Sequence, residues 1–505
     1  MKLGVVDLGS NNVRLVIWEI YGDGYYRIID ELKENIRLGS DAELKLIPKA
    51  KVELMLETLS KFNKLCESME VDKTIVVATE SLRRAENSAS IISRVKETTG
   101  FEIIVLSEIE EAFLDFKGVS GSMIIDNSLL LDIGGTSCEI VWIKDNELVE
   151  STSIPIGTLN TTEKFALSDI VTQKNHIQLE EYIHNAISSI EWVKGNKFKT
   201  IILVGGSART IGRIDRFRKR YPLTITHNYT LEDVDIVSMY SSLMTKNAAG
   251  RSKTPGLEED RADIILAALA VIKEVSQTTG TTELRISGKG LREGILFDYI
   301  NANYKVNPDM LEKSVYSILY RHDLNVSHSE HISKLSKILF ENLKPVHKLN
   351  EELLPILYTA SMLHDIGMSI RYYDHEKHSF YIILNSEING LNQKEILLAG
   401  YAAMFHRKVD HDLSMANFSH ILNRFDVLSA EKMGILIALA ESFEKNVQGV
   451  VYDIETEITA DSIIIKAIAD EEIDIEISEA KKLSGKFKEL YNKNPVIKGQ
   501  IIPRQ

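Results

Sequence analysis

The segment GVVDLGSNNVRLVIWEI (residues 4–20) returns as LLLDIGGTSCEIVWI (residues 129–143), and this pair decides the fold. Each copy reads as a strand, a tight glycine-containing turn and a second strand, because Gly, Ser and Asn interrupt runs of apolar and β-branched residues. Laid over each other, Asp7 falls on Asp132, Gly9 on Gly134, Ser10 on Gly135, Asn12 on Ser137 and Val16 on Val141. A third strand follows each copy, around Tyr26 to Leu32 in the first and from Leu148 to the Pro155-Ile156-Gly157 turn in the second. Helix-period sequence and further strands come next, TIVVAT (74–79) and TIILVGG (200–206). Two β-β-β-α-type halves with matching acidic turns predict duplicated α/β domains facing across a cleft.

The chemistry of the turns follows from their residue types. Consecutive backbone N–H groups in such a turn form an anion-binding concavity. An Asp at the end of the preceding strand repels phosphate, but it can hold a divalent cation or the water around it. Either turn alone could be an ordinary hairpin; two in register, 125 residues apart, make a site. A third glycine-rich segment, LVGGSARTIGRI, puts Gly205, Gly206 and Ser207 between a strand and a helix, as a further phosphate or nucleotide contact. It lacks the Walker lysine, so a P-loop is not supported. In a fourth, RISGKGLREGIL, with Ser287, Gly288, Lys289, Gly290 and Arg292, tight packing alone accounts for the glycines.

A chain of 505 residues exceeds one core and predicts several domains. Its 44% hydrophobic and 26% charged residues describe a globular protein. The N-terminal MKLGVVDLGS lacks the pattern of a signal peptide, and apolar runs such as Ile264 to Ile272 are too short to span a bilayer. Cys66 and Cys138 cannot make a disulfide framework or zinc ribbon, so a cytoplasmic location is expected. The net charge of −14 argues against a general nucleic-acid binder. A polyanion would then need a local basic cluster, for which Arg209, Arg213, Arg216, Arg218, Lys219 and Arg220 are candidates. A solvated helix face explains the same run.

The segments DLGSNNVRL, ATESLRRAEN, LSEIEEAF, LDIGGTSCEI and SGKGLREGIL stand in the order found in the exopolyphosphatase/guanosine pentaphosphate phosphatase family. The chain resembles that family from residue 2 to about 300 and more loosely through residue 430. The resemblance implies the actin, Hsp70 and sugar-kinase fold, with ribonuclease H-like domains over residues 1–120 and 121–303. It places phosphate binding on Gly9, Ser10, Asn11 and Arg14, on Gly134, Gly135, Thr136 and Ser137, and on Arg83. Asp7, Asp132 and Glu139 become candidates for Mg²⁺ and its waters. The general base falls on Glu111 in the segment Ser107-Glu108-Ile109-Glu110-Glu111-Ala112, with Glu110 the neighbour to exclude. Three positions depart from the family pattern, Glu108, Thr136 and Cys138, and Thr136 is expected to narrow the approach of backbone to phosphate. The implied activity is Mg²⁺-dependent release of orthophosphate from polyphosphate ends, with K⁺ as activator. Guanosine pentaphosphate is the alternative substrate. The partners implied are one of these anions and a second copy of the chain, with no nucleic acid and no membrane.

Ten of the thirteen histidines lie between His322 and His420, in helix-period sequence after a linker at NANYKVNPDM (301–310). The order His331, His364-Asp365, His378, His406, Glu441 resembles the HD phosphohydrolase helical domain, which implies an all-α HD-like domain over 304–446. A site of this composition suits a transition metal, and hydrolysis of a nucleotide there is a further alternative. His328 competes with His331 for the first position; spacing to Leu335 favours His331. Buried polar bridges, or polyphosphate contacts by His378, His406, Arg407 and Lys408, are the competing explanation. From Val450, the stretches VVYDIETEI, SIIIKAI and EIDIEI read as three strands, followed by a helix through Tyr491. They make a small α+β C-terminal domain over 447–505 with no recognisable chemistry.

Overall fold

The first copy of the repeat forms β1 (Lys2–Leu8) and β2 (Asn12–Ile20), followed by β3 (Tyr26–Asn35), β4 (Lys73–Ala78) and β5 (Ile103–Val105). Their order in the sheet is β3-β2-β1-β4-β5. The second copy forms β6 (Ser128–Ile133) and β7 (Cys138–Lys144), then β8 (Glu147–Ile154), β9 (Thr200–Val204), β10 (Tyr229–Glu232) and β11 (Glu283–Ile286). The order is β10-β11-β9-β6-β7-β8. Read from β8, this repeats the first sheet strand for strand, with β10 added at the far edge. In each half the first three strands are antiparallel and the next join in parallel. Central strands are apolar along most of their length, since both faces are covered: all five residues of β9 are buried.

The computed structural model describes residues 1–39, 45–407 and 415–503. It forms two compact units, Met1–Tyr221 with Ile225–Val306, and Pro222–Thr224 with Asn307–Gln505. Within the first unit the halves exchange a helix. The helix Glu108–Ser120, which follows β5, packs Ala112 and Val119 among Leu130, Val141, Ile143, Ile202 and Val204 of the second sheet. The helix Leu291–Asn303, which follows β11, packs Ile295, Leu296 and Ile300 among Leu3, Val5, Val16 and Trp18 of the first. The two helices cross backbone to backbone. A Cβ on Gly118 would lie 2.2 Å from the Gly290 carbonyl oxygen, and one on Gly294 would lie 1.9 Å from that of Leu114.

Between Met310 and Phe443 the described residues of the second unit are mainly helical, the longest helices among them being Val326–Asn342 and Arg424–Phe443. A three-stranded sheet follows in the same unit, in the order β12 (Val451–Ile458), β13 (Ser462–Ala469), β14 (Asn494–Ile501). The third strand differs from the sequence expectation. EIDIEI lies mostly in the helix Asp474–Lys482, and NPVIKGQI pairs with β13 in its place. The alternation of Ile473, Ile475 and Ile477 is deceptive. Ile473 and Ile477, four apart, are buried, whereas Ile475 is 66% exposed, which is helical periodicity. Among the described residues no helix is long and apolar enough to cross a membrane.

The helix crossing yields a stability prediction. Gly→Ala inside a helix ordinarily stabilises it by about 1 kcal/mol. At Gly294 the clash with Leu114 reverses the sign, and Gly294→Ala is expected to lower unfolding stability by about 1–3 kcal/mol. Urea denaturation measures this, and unchanged or increased stability would contradict the close crossing.

Candidate active site

The turn after β1 closes with Gly9 N–H donating to the Asn12 carbonyl at 3.1 Å; the turn after β6 closes with Gly134 N–H donating to Ser137 at 2.9 Å. In the first, the carbonyls of Ser10 and Asn11 accept from the amides of Gly39 and Arg37, each at 2.9 Å. In the second, the carbonyls of Gly134 and Gly135 accept from the amides of Thr158 and Leu159 at 2.9 and 2.7 Å. The Thr136 carbonyl accepts from Asn160 Nδ2 at 2.8 Å. A trans peptide sets its N–H opposite its C=O, so occupying these carbonyls turns the amides that follow them the other way. The loops also touch. Ser10 Oγ lies 2.8 Å from Thr136 Oγ1 and accepts from Ser81 Oγ at 2.7 Å. The Thr136 hydroxyl is thus engaged between the loops.

Both loops line one open cavity. Gly9, Ser10, Asn11, Arg14, Gly134, Gly135, Ser137, Gly205 and Gly206 are in its wall, with Asp7, Asp132 and Glu111. Ser207 sits just behind, accepting from Arg261 Nη1 at 3.2 Å. Both polar atoms of the buried Asn11 side chain lack a hydrogen-bond partner. Such a group is poised for a ligand.

One end of the site is acidic. The helix Glu108–Ser120 starts with a capping box in which Ser107 Oγ accepts from Glu110 N–H, while the Glu110 carboxylate accepts from Ser107 N–H at 2.8 Å. Glu110 is therefore turned outward to the cap, and Glu111 is only 8% exposed. Burial pushes the Glu111 carboxyl up to about 9, with Glu139 adding to the rise, although Arg83 Nη1 donates to it at 3.1 Å. Burial also lifts Glu139 to about 8, reinforced by Asp132, and Asp132 itself to about 6. One turn after Glu111, Asp115 is fully buried and neither oxygen meets a donor. Burial and then Asp132 hold it well above the usual carboxylate range. Interaction between the two carboxyls raises Asp115 and lowers Asp132, so Asp115 is the one that favours the protonated form. Sequence reasoning passed over Asp115; its spacing of four from Glu111, one helical turn, is the signal that could have found it.

The opposite wall is basic: Arg14, Arg209, Arg261 and Arg292. Arg14 and Arg292 share Glu31, at 3.1 and 2.9 Å from its Oε1. Arg209 is pushed down to about 10 by burial and by repulsion from Arg14 and Arg292. The Arg261 guanidinium packs directly on Gly206, where a Cβ would lie 1.9 Å from Nη2 and displace it. Of the basic run 209–220, Arg209 reaches the cavity wall. Arg213 pairs with Glu258, Lys219 with Asp215 and Asp235, and Arg218 bonds Ser238. Most of that run thus pairs with side chains of its own surface, and Arg209 is its member in the cavity wall. Arg83 is likewise outside the wall, donating to Leu106 carbonyl at 2.6 Å and to Glu111.

Divalent-cation chemistry fits the acidic end. The carboxylates are clustered, buried and short of donors, and Mg²⁺ commonly takes one or two carboxylates plus waters and phosphate oxygens. In the second unit, His364, Asp365 and His406 come together, with Glu441 Oε2 3.7 Å from His406 Nε2. The structure joins His328 and His375 to them, where the sequence reading favoured His331 and His378. His331 instead pairs with Glu444 at 2.6 Å and bonds the Val451 carbonyl, while His378 flanks Gly367. Lys408 lies outside the described residues.

Comparison with known proteins gives consistent matches. Residues 16–303 match the model described as the Ppx/GppA phosphatase family, and residues 311–448 match its domain III. The guanosine-5'-triphosphate,3'-diphosphate pyrophosphatase of Pseudoalteromonas translucida is 25% identical over 415 residues, covering 80% of each chain. That of Aeromonas salmonicida is 26% identical, covering 78% of this chain and 79% of its own. The crystal structure of the Aquifex aeolicus Ppx/GppA family member is 28% identical with a TM-score of 0.53, covering 60% of this chain and 99% of its own. An exopolyphosphatase from Cytophaga hutchinsonii shares the fold, with 24% identity, a TM-score of 0.57 and coverage of 61% and 99%.

Two outcomes follow from the acidic cluster. Glu111 has a folded-state value near 9 against 4.5 unfolded, so the folded form holds the extra proton between those limits. Stability is then lost as pH rises from about 5 to about 9. In chelator, the melting temperature is expected to fall over this window; Glu111→Gln or excess Mg²⁺ is expected to flatten the fall. A slope identical in all three conditions would contradict the cluster. Separately, Asp115→Asn, which keeps a donor toward Asp132, is expected to hold kcat/KM within about threefold. Asp115→Leu, which removes it, is expected to lower kcat/KM by about 10- to 100-fold. Equal activity of the two variants would show that the proton is not used.

Proposed function

The chain belongs to the Ppx/GppA phosphatase family, and from that premise we propose that it is an exopolyphosphatase, hydrolysing the terminal phosphoanhydride of inorganic polyphosphate. The observation that carries the choice of substrate is the composition of the cavity wall. It presents Arg14, Arg209, Arg261, Arg292 and glycine-rich backbone, with no aromatic side chain among the lining residues on which a base could stack.

Phosphoryl transfer to water requires an in-line water, a group to orient it and neutralisation of the equatorial oxygens. The loop amides and Arg14 hold the terminal phosphate, and Arg209, Arg261 and Arg292 bear the charge behind it. Glu111 aligns the attacking water and takes its proton, while Arg83 fixes the carboxylate from the side away from the cavity. Asp132 and Glu139, with Asp7, would hold Mg²⁺, which supplies charge neutralisation to the phosphate oxygens when bound. The positive charge of a bound cation would favour the carboxylate form of Glu111 that a base requires, against the burial and neighbouring carboxylates that raise it.

A second reading, hydrolysis of guanosine pentaphosphate, is favoured by the names of the curated relatives. Comparing kcat/KM for phosphate release from polyphosphate and from guanosine pentaphosphate separates the two. The account predicts preference for polyphosphate. A preference of about tenfold or more for the nucleotide, about 1.4 kcal/mol in transition-state binding, overturns it.

A further inference from the structure

Thr136 is one of the three departures from the family pattern, which has glycine at that place. Its side chain has a defined setting. Thr136 is 5% exposed, and its hydroxyl lies 2.8 Å from Ser10 Oγ of the first loop. Its methyl packs over Gly39, where a Cβ would lie 2.6 Å from Thr136 Cγ2. The same Cβ would lie 3.0 Å from both Ser10 Cβ and Ser81 Oγ, so a bare glycine is what lets three hydroxyl side chains meet. Ser81, in the short helix Glu80–Arg84 after β4, donates to Ser10 Oγ at 2.7 Å. Of the three, Ser10 is in the cavity wall, and Thr136 and Ser81 stand behind it.

A hydroxyl oxygen has one hydrogen to give and two lone pairs with which to receive. Ser81 occupies one lone pair of Ser10 Oγ. One lone pair and one hydrogen remain, to be divided between Thr136 and the cavity. If Ser10 gives its hydrogen to Thr136, a lone pair is left toward the cavity, where it repels an anion. If Thr136 gives its hydrogen to Ser10, the Ser10 hydrogen is free for an anionic oxygen. The contact permits both directions, and a bound phosphate selects the second. In that state Ser10 accepts twice and donates once, which polarises its O–H and strengthens the bond to the anion.

We propose that Thr136 is a positioning residue whose hydroxyl donates to Ser10 Oγ and thereby turns the Ser10 hydrogen onto a bound phosphate oxygen. A glycine in this place supplies no such donor. The chain of hydroxyls also joins both loops to the short helix that carries Arg83, the partner of Glu111. The inference rests on the proposed binding of phosphate by the two loops. It holds equally for the end of a polyphosphate and for the terminal phosphate of a nucleotide.

Two variants of the full-length chain separate the hydroxyl from the methyl. Thr136→Val keeps the methyl against Gly39 and removes the hydroxyl; Thr136→Ser does the reverse. Thr136→Val is expected to raise KM for polyphosphate by about 5- to 20-fold with kcat held within about threefold. Thr136→Ser is expected to bring KM back to within about twofold of the unaltered chain. Affinity for inorganic tripolyphosphate, measured by titration calorimetry in chelator, is expected to follow the same order. In Ser10→Ala, adding Thr136→Val is expected to weaken binding by less than about twofold further, because the donor has lost the group through which it acts. A loss caused by loosened packing alone would persist in the double variant. Should Thr136→Val fail to fold, Thr136→Ala takes its place with the same expectation. Unchanged KM and affinity in the variant without the hydroxyl, or a full additional loss in the Ser10→Ala background, overturns the relay. An unaltered chain that binds tripolyphosphate but releases no phosphate from polyphosphate contradicts the proposed activity alone, and the affinity series then decides the relay. A chain that binds no tripolyphosphate overturns both.

Discussion

The architecture of the first unit turns on a charge reversal at equivalent positions of a duplicated hairpin. Asp7 lies opposite Arg14 across β1 and β2, and Asp132 lies opposite Glu139 across β6 and β7, in the same register. The first hairpin therefore contributes a cation where the second contributes an anion. Arg209, Arg261 and Arg292 extend the positive side of the cavity; Glu111 and Asp115 extend the negative. Neither side neutralises the other. Burial and mutual repulsion raise the acids and lower Arg209, as the proposed pairing of an anion with a cation in this cavity requires.

The exchange of helices explains how this separation is maintained. Glu111 stands early in the chain, yet its helix packs on the second sheet, so it faces Glu139 and Asp132 rather than its own loop. The glycine crossing at Gly118, Gly290 and Gly294 sets the distance between that helix and the one carrying Arg292. That crossing places the Glu111 carboxyl and the Arg292 guanidinium in the wall of one cavity. Asp115 adds a proton where Asp132 would otherwise face bare negative charge.

Much of this was legible in the sequence because strand–turn–strand repeats are local patterns. Asp7, Gly9, Asp132 and Gly134 could be aligned from spacing alone, and the closing hydrogen bonds of both turns match. Glu111 could be selected over Glu110 through the resemblance, and the capping box supplies the physical distinction between them. What was not legible came from packing between distant segments. Arg261 belongs to no motif and enters the site through tertiary contact. The basic run 209–220 looked like an anion track, but its carboxylate partners Glu258 and Asp235 lie well along the chain. In the helical unit, His375 in place of His378 and His328 in place of His331 came down to which face of a helix turns toward Asp365. Spacing could not resolve one helical turn from the next.

Glu111 carries the central claim, that hydrolysis takes place in the cavity between the two glycine-rich turns. The most direct measurement is polyphosphate hydrolysis by Glu111→Gln beside Asp365→Ala, with Mg²⁺ present and substrate binding followed in parallel. The account predicts that Glu111→Gln still binds polyphosphate while kcat falls by about 10²- to 10⁴-fold, and that Asp365→Ala retains turnover. Loss of hydrolysis in Asp365→Ala with full activity in Glu111→Gln would contradict it and move the chemistry to the histidine cluster.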